Sequence, residues 1–228
     1  GSEMCIRDSY VAIGAQGSRK LNIPGEENEM VESGIDFLRK VNKTEDPNLI
    51  SGDVVVVGGG NVAIDVARAA LRSGAEKVHL YSLEQEAEMP ASFEEVSEAK
   101  EEGIILHCGW GPKEILEDSI VFKQCVSVKD ETARFNPSYD ENVLETIQCS
   151  HVLLSIGQSI VPIQGFDVEV NPNGTIKADG TTLQTSVEDV FAGGDVYTGP
   201  KFAIDAISHG KEAAESMHRF VHKGHSLT

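Results

Sequence analysis

Short apolar runs alternate with helical patterns along the middle of the chain. Residues 54–57 are four consecutive valines, and this lack of polar alternation predicts a strand buried on both faces. A helical pattern covers 62–73. A strand at 77–81, a charged helix at 92–102 and a strand at 104–107 follow it. Strands and helices that alternate in this order predict an α/β fold with a doubly wound parallel sheet.

The flanking segments predict further elements of both kinds. Residues 10–14 form a short apolar run that ends in glycine, which indicates a strand and a turn, and 30–42 have a helical pattern. Residues 112–150 contain short apolar runs between polar turns, a pattern typical of a β-meander. Two more strands and a final helix are predicted over 152–156, 190–192 and 202–222.

Composition narrows the class of protein. The 228-residue chain has a formal net charge of -18, so we do not expect it to bind nucleic acid or an anionic membrane surface. No apolar run is long enough to cross a bilayer. The four cysteines share no CxxC spacing, which favours reduced thiols over a redox disulfide. We therefore expect a soluble, cytoplasmic protein.

The string GGGNVA stands directly after the valine strand and opens the next helix. Gly58 would permit the tight turn, Gly60 would let a pyrophosphate approach the backbone, and Ala63 would allow close packing of helix on strand. The start of the helix offers free N–H groups and a positive dipole end to phosphates. The motif predicts a dinucleotide site, and a glycine turn that binds no ligand is the alternative.

The end of the second strand bears on nucleotide specificity. Glu84 follows this strand, and an acidic residue here accepts hydrogen bonds from the adenosine ribose hydroxyls. A 2′-phosphate would require arginine or lysine, and neither occurs between Tyr81 and Pro90. NAD(H) is therefore favoured over NADP(H). A solvated loop carboxylate is the alternative interpretation of Glu84.

A second candidate constellation lies near the C-terminus. The string TSVEDVFAGGD ends in Gly193, Gly194 and Asp195, and a helix follows a Gly-Pro break. An aspartate that ends a buried strand can accept hydrogen bonds from a polyol, and a helix start near 202–204 can stabilise negative charge on a bound ring. The residue types alone leave Asp195 equally open to a role as a helix cap or turn residue.

These strings together resemble the two-dinucleotide flavoproteins, the family of glutathione reductase and thioredoxin reductase. TSVEDVFAGGD is similar to the family's second flavin motif and GGGNVA to its pyridine-nucleotide motif, while VAIG and VLLSIG are similar to its two crossings between domains. Five strings are most similar to the small subunit of glutamate synthase and the flavin region of dihydropyrimidine dehydrogenase. They are IPGE, GGGNVAIDVARAALRSGA, EMPAS, ARFNPSYDE and GDVYTGPKFAIDAISHGKEAA.

The resemblance implies a Rossmann-like NAD(P)-binding domain, with a parallel sheet and a β-meander, inserted in a truncated FAD-binding domain. It assigns 28–150 to the former and 10–27 with 151–228 to the latter, while 1–9 read as a non-native scar. The family's first flavin motif and its iron–sulfur cysteines do not occur in these residues. We therefore expect a C-terminal part of a longer protein that uses FAD and NAD(H), with NADP(H) as the alternative, and that passes electrons to an iron–sulfur domain or a partner subunit.

The resemblance also implies which residues contact each nucleotide. It puts Gly58, Gly60, Asn61 and Val62 around the pyrophosphate of the nicotinamide nucleotide. The motif and the end of the second strand add Ala63, Ser82 and Glu84 to this site. Those near FAD are Gly157, Gly193, Gly194, Asp195, Phe202, Ala203 and Ile204, with Asp195 on the ribityl chain. NADP(H)-using relatives commonly have two arginines where this chain has Ser82 and Leu83.

Hydride transfer depends on alignment and a dry pocket, so we expect no catalytic acid or base. We expect no metal ligand either, because the histidines near the C-terminus fit a solvated terminal helix. Two alternatives to the flavoprotein stay open. One is a nicotinamide-only dehydrogenase with a substrate site near 155–165, and the other is a nucleotide-binding fragment without turnover.

Overall fold

A computed structural model describes residues 8–44, 46–161 and 167–223. The chain divides into two compact units, one of Gly1–Gly17 with Gln158–Thr228 and the other of Ser18–Gly157. The divisions therefore fall after 17 and 157, whereas the sequence placed them after 27 and 150. Residues 1–7 of the predicted scar and 162–165 of the alternative substrate region lie outside the described residues.

The strands and helices are numbered along the chain. The strands are β1 (Ser9–Val11), β2 (Gly17–Ser18), β3 (Val31–Ser33), β4 (Asp53–Val57), β5 (Lys77–Ser82), β6 (Ile105–Cys108), β7 (Trp110–Ile115), β8 (Ser119–Lys129), β9 (Phe135–Gln148), β10 (His151–Leu154), β11 (Gln158–Ser159) and β12 (Val190–Ala192). The helices are α1 (Gly34–Val41), α2 (Asn61–Arg72), α3 (Phe93–Glu101), α4 (Asp195–Thr198) and α5 (Ala203–Lys223).

The Ser18–Gly157 unit is built on a parallel sheet of five strands in the order β3-β10-β4-β5-β6. The valines of β4 are buried, as their uninterrupted run predicted. Val54 and Val56 pack with the helices α1, α2 and α3. Val55 and Val57 pack with Ile120 and other residues of the meander. Helices therefore cover one face of the sheet, and the β-meander covers the other.

The segment that precedes the central strand differs from its predicted helix. Residues 31–33 form β3, which pairs in parallel with β10, and α1 begins only at Gly34. The Ser33 hydroxyl caps α1 by accepting a hydrogen bond from the Asp36 N–H at 3.5 Å. The helical pattern was wrong for the first residues of 30–42 because pairing with a distant strand satisfies their backbone groups.

The meander consists of three antiparallel strands in the order β7-β8-β9, fewer and longer than the short runs predicted. β8 and β9 form a hairpin with several register shifts. The Asp130 carboxylate holds the turn of this hairpin by accepting hydrogen bonds from the N–H groups of Thr132 and Arg134. The outer part of the hairpin is polar in sequence because it covers no core.

The other unit combines two segments that are distant in sequence. β1 pairs in parallel with β12, and Val11, Ile176, Val190 and Val196 belong to one buried cluster. Helix α5 packs on β12 through an edge-to-face contact of Phe191 with Phe220, whose ring centroids are 6.0 Å apart. No helix in the described residues is long and apolar enough to cross a membrane.

Candidate nucleotide-binding site

The turn of Gly58–Gly60, called the glycine turn below, joins the central strand β4 to α2. Gly58 has a φ of +149°, and its N–H donates to the Tyr81 carbonyl at 2.9 Å. A Cβ at Gly58 would collide with the carbonyl oxygen of Ser155 and would lie 3.1 Å from the Ala63 Cβ. Only glycine fits here, so the turn is tight and lies close to the neighbouring strands.

The glycine turn offers unsatisfied hydrogen-bond donors. The Gly60 carbonyl accepts from the N–H groups of Ala63 and Ile64 at 2.9 and 3.3 Å, and Gly60 provides no side-chain cap. Among the described residues, no acceptor bonds to the backbone N–H groups of 59–62. Apart from Gly60 and its two chain neighbours, no heavy atom of the described residues lies within 4 Å of the position that a Gly60 Cβ would take. Free donors, open space and a helix dipole together suit a diphosphate.

The side chains around these amides have different environments. Ala63 is fully buried against β4, which fits its predicted packing role, and Val62 is partly exposed. The Asn61 side chain accepts a hydrogen bond from the Ser92 N–H at 2.9 Å. Asn61 can therefore offer its backbone N–H to a ligand at the glycine turn, while its side-chain oxygen is engaged.

The end of β5 brings Glu84 beside the glycine turn. The Glu84 carbonyl accepts hydrogen bonds from the Ser82 hydroxyl at 2.9 Å and the Gly109 N–H at 3.0 Å. The Glu84 carboxylate oxygen Oε2 lies 2.7 Å from the position of a Cβ on Gly59. The carboxylate therefore flanks the free amides. Ser82 is buried, so its hydroxyl shapes the turn.

A stack of rings lies where β5 and β6 meet the meander. The Tyr81 ring stacks on His107 and on Phe122, with centroid distances of 4.2 and 3.7 Å. The Tyr81 hydroxyl donates to Glu145 at 2.8 Å, and His107 Nδ1 lies 3.5 Å from the same carboxylate. His79 Nδ1 lies 3.0 Å from His107 Nε2. Burial raises the pKa of the Tyr81 hydroxyl and lowers the pKa of both histidines.

Gly157 lies at the end of the Ser18–Gly157 unit. It has a φ of +111°, and its carbonyl accepts a hydrogen bond from the Arg19 N–H at 3.1 Å. A Cβ there would lie 3.5 Å from the Arg19 side chain. The two places where the chain enters and leaves this unit therefore lie next to each other.

In the other unit, Gly193 and Gly194 are buried for packing reasons. A Cβ on Gly193 would collide with the Tyr10 hydroxyl and would lie 2.8 Å from the His209 Cβ. Gly194 has a φ of +71°, and its N–H donates to His209 Nδ1 at 3.1 Å. Sequence reasoning missed His209, because no motif marks a helical histidine whose partner is a backbone amide.

Asp195 is half-buried and begins α4 directly after these glycines. Its Oδ1 accepts a hydrogen bond from the Lys201 N–H at 3.2 Å. Its second carboxylate oxygen has no donor among the described residues. One oxygen of Asp195 thus organises the 195–201 turn, while the other is available to a polyol.

The start of α5 is exposed. Phe202 and Ile204 are 78% and 69% exposed, and Ala203 between them is exposed as well. The Phe202 N–H donates to the Asp205 carboxylate at 3.3 Å. Asp205, which the sequence did not single out, therefore accepts a hydrogen bond from one of the three backbone N–H groups predicted to face a ring carbonyl.

The described cysteines and metal-ligand residue types form no further site. Cys108, Cys125 and Cys149 are free thiols, and burial raises the pKa of the Cys149 thiol to about 12. Across 8–44, 46–161 and 167–223, no group of three or more His, Cys, Asp or Glu side chains could hold a metal ion.

Curated relatives cover nearly all of this chain, but the chain spans only about a third to a half of their length. It is 37% identical to the NADP(+)-dependent formate dehydrogenase subunit beta of Moorella thermoacetica, over 94% of this chain and 32% of that protein. It is 30% identical to the glutamate synthase (NADPH) small chain of Azospirillum brasilense, over 92% and 48%. It is also 30% identical to the NAD-dependent dihydropyrimidine dehydrogenase subunit PreT of Escherichia coli K12, over 87% and 44%.

Solved structures share the fold. FprA of Mycobacterium tuberculosis in complex with NADPH superposes with a TM-score of 0.79 at 18% identity, over 95% of this chain and 64% of that chain. Thioredoxin reductase of T. acidophilum superposes with a TM-score of 0.68 at 19% identity, over 94% and 66%. The predicted α/β class with a parallel sheet is confirmed. Residues 3–210 match the pyridine nucleotide-disulphide oxidoreductase family, and the chain therefore belongs to that family.

Proposed function

We propose that this chain carries the nicotinamide-nucleotide site and part of the flavin site of a flavin-dependent oxidoreductase, in which hydride passes between a bound nicotinamide and FAD. The observation that carries the proposal is the glycine turn, whose free amides at 59–62 border open space at Gly60. The diphosphate would accept hydrogen bonds from these amides, and the α2 dipole would stabilise its charge. Membership of an oxidoreductase family supports this use of the site.

We assign NAD(H) as the preferred nucleotide. The Glu84 carboxylate flanks the glycine turn, where it would accept hydrogen bonds from the 2′- and 3′-hydroxyls of the adenosine ribose. A 2′-phosphate in that place would meet a negative charge, with no arginine or lysine in 81–90 to offset it. The names of the relatives include both NADP- and NAD-dependent enzymes, so family membership alone does not decide this preference.

The residues of the other unit fit a flavin nucleotide. The second Asp195 oxygen has no donor among the described residues and would accept hydrogen bonds from the ribityl hydroxyls. The N–H groups of Ala203 and Ile204 begin a helix of 21 residues, whose dipole would favour negative charge on a ring carbonyl. When bound, FAD supplies the chemistry of a two-electron hydride acceptor that can give up electrons singly.

We further propose that the electrons leave toward an iron–sulfur centre or a partner subunit. The relatives named as a formate dehydrogenase subunit beta and a dihydropyrimidine dehydrogenase subunit support a place in a larger assembly. The residues of this chain would bind and align the nucleotide and exclude water, because hydride transfer depends on alignment more than on an acid or base.

Isothermal titration calorimetry of the full chain with NADH tests the nucleotide site. Gly60→Ala would place a methyl group where the diphosphate approaches, and we expect Kd for NADH to rise on the order of tenfold. Gly210→Ala is the matched control, because Gly210 also has open space at its Cβ position and lies outside both candidate sites. The proposal fails if neither reduced nucleotide binds, or if both variants bind NADH like the original chain.

A further inference from the structure

The loop of residues 84–92 is attached to the glycine turn at its C-terminal end. The Ser92 N–H donates to Asn61 Oδ1 at 2.9 Å, and the Ala91 N–H donates to the Gly59 carbonyl at 3.0 Å. Both acceptors belong to the segment whose amides are free. The last residues of the loop are therefore bonded directly to the proposed phosphate-binding segment.

The same loop is fixed at its beginning and near its centre. The Glu84 carbonyl accepts hydrogen bonds from Ser82 and Gly109. Met89 is 8% exposed and belongs to the core beneath the helices. The beginning is held by β5 and Gly109 and the centre by the core. Among the described residues, the hydrogen bonds at 91–92 are those that attach the loop to the glycine turn itself.

The Glu84 carboxylate lies where the loop and the turn approach each other closely. Glu84 Oε2 and Pro90 Cδ lie 2.7 and 3.4 Å from the position of a Cβ on Gly59. Any larger residue at 59 would push the carboxylate away. The location of the charge beside the free amides therefore depends on how closely the 84–92 loop lies on the turn.

We propose that Asn61 is a positioning residue for nucleotide specificity. Its side chain holds the 84–92 loop on the glycine turn, and this keeps the Glu84 carboxylate at the 2′ position of the adenosine ribose. The inference rests on the proposed function, since the loop discriminates between nucleotides only if one binds at the turn. The Asn61 side chain affects the nucleotide indirectly, through the position of Glu84. The Asn61 backbone N–H would contact the nucleotide directly.

Amide hydrogen exchange of the ligand-free full chain tests the attachment. Asn61→Ala removes the acceptor of the Ser92 N–H, so we expect faster exchange at 91–92. Asn61→Asp keeps an acceptor oxygen and retains the protection. Asn142→Ala is the matched control, because it removes an exposed asparagine side chain that bonds only locally to Asp140.

Calorimetry with NADH and with NADPH tests the effect on specificity. The loss of one ordinary hydrogen bond corresponds to about a three- to tenfold change in an equilibrium constant. We expect Asn61→Ala to reduce the preference for NADH over NADPH by about this factor. Asn61→Asp weakens the binding of both nucleotides, since its charge repels the diphosphate that they share. It leaves the ratio of the two affinities near that of the original chain.

A second pair of variants tests the donor of the same hydrogen bond. Ser92→Pro deletes the N–H, and the Ser92 φ of -66° suits proline. Ser92→Ala is its matched control, because both variants lose the hydroxyl that caps α3 by accepting from the Glu95 N–H. Ser92→Pro should lower the NADH preference as Asn61→Ala does, and Ser92→Ala should not.

Two outcomes would overturn the proposal, and they are distinguishable. If Asn61→Ala leaves the amide exchange at 91–92 and the NADH-to-NADPH ratio of affinities unchanged while NADH still binds, Asn61 has no role in nucleotide specificity. If the original chain binds neither nucleotide, the proposed function fails and the specificity role fails with it, whatever the exchange experiment shows about the loop.

Discussion

At the scale of single residues, Glu84 is the side chain to which the proposed site assigns the choice between NAD(H) and NADP(H). Its carboxylate lies beside the free amides of the glycine turn, and in the proposed site it would face a group on the adenosine 2′ oxygen. Because the discrimination is between a neutral hydroxyl and a dianionic phosphate, a change of sign at this one position should alter it strongly.

Glu84→Arg should shift the preference toward NADPH. The guanidinium would pair with the 2′-phosphate that the carboxylate repels, and we expect the NADH-to-NADPH ratio of affinities to fall by about tenfold or more. Calorimetry with both nucleotides measures the ratio. Glu88→Arg is the control, because it makes the same charge change in an exposed position of the same loop. An unaltered ratio in Glu84→Arg would remove Glu84 from the nucleotide site.

Several residues of the candidate site could be predicted from the sequence, and others could not. Gly58, Gly60 and Ala63 were predicted because their roles follow from a local string between a strand and a helix. The bond of Asn61 to Ser92 joins residues 31 positions apart, and that of Gly194 to His209 joins residues 15 apart. Such contacts depend on how elements pack, which local patterns do not specify.

At the scale of elements, the parallel sheet was predictable and its covering was not. The valine run predicted a strand buried on both faces, but apolar character alone does not say which neighbour covers each face. β3 was missed because its pairing with β10 overrides the local helical pattern. The meander was predicted as a type of structure, but its long outer hairpin was not, since an exposed polar strand has the composition of a turn.

The ring stack between the sheet and the meander should make stability depend on pH. Burial lowers the pKa of His79, as do the nearby His107 and Lys77, while Asp53 and Glu145 act in the opposite direction. Burial also lowers the pKa of His107, against the opposing effect of Glu145. The folded state therefore prefers neutral histidines. The contribution of the neutral histidines to the free energy of unfolding is fully present above the ordinary histidine pKa of about 6.5. It is lost as the pH falls below that value.

Urea unfolding between pH 7.5 and 5.5 measures this contribution. We expect the free energy of unfolding to fall over this interval, and His107→Gln to reduce the fall because one titrating group is gone. His222→Gln is the control, since His222 is an exposed histidine on α5. The same pH dependence in both variants would show that the stack does not contribute.

At the scale of the whole molecule, the candidate residues for the nicotinamide nucleotide all belong to one contiguous unit. Ser18–Gly157 has its own sheet and two buried clusters. Its ends meet where the Arg19 N–H bonds to the Gly157 carbonyl. A segment with its own core and neighbouring ends meets the physical requirements of an autonomous domain.

Ser18–Gly157 produced alone should therefore fold and bind NADH, with a Kd within about threefold of that of the full chain. Circular dichroism during urea unfolding tests for a cooperative transition, and calorimetry gives the affinity. The Gly60→Ala version of the same segment controls for nonspecific heat. A segment that lacks a cooperative transition would show that the unit needs the rest of the chain.

The parallel pairing of β1 with β12 has a consequence for the order of events on the ribosome. Tyr10 is translated roughly 180 residues before its partner Phe191, whereas every strand of the five-stranded sheet has been translated by Leu154. The intervening module can complete its own core co-translationally. Strand β1 must wait throughout this time without β12, and its unpaired edge stays open to intermolecular pairing until residues 190–192 have been translated.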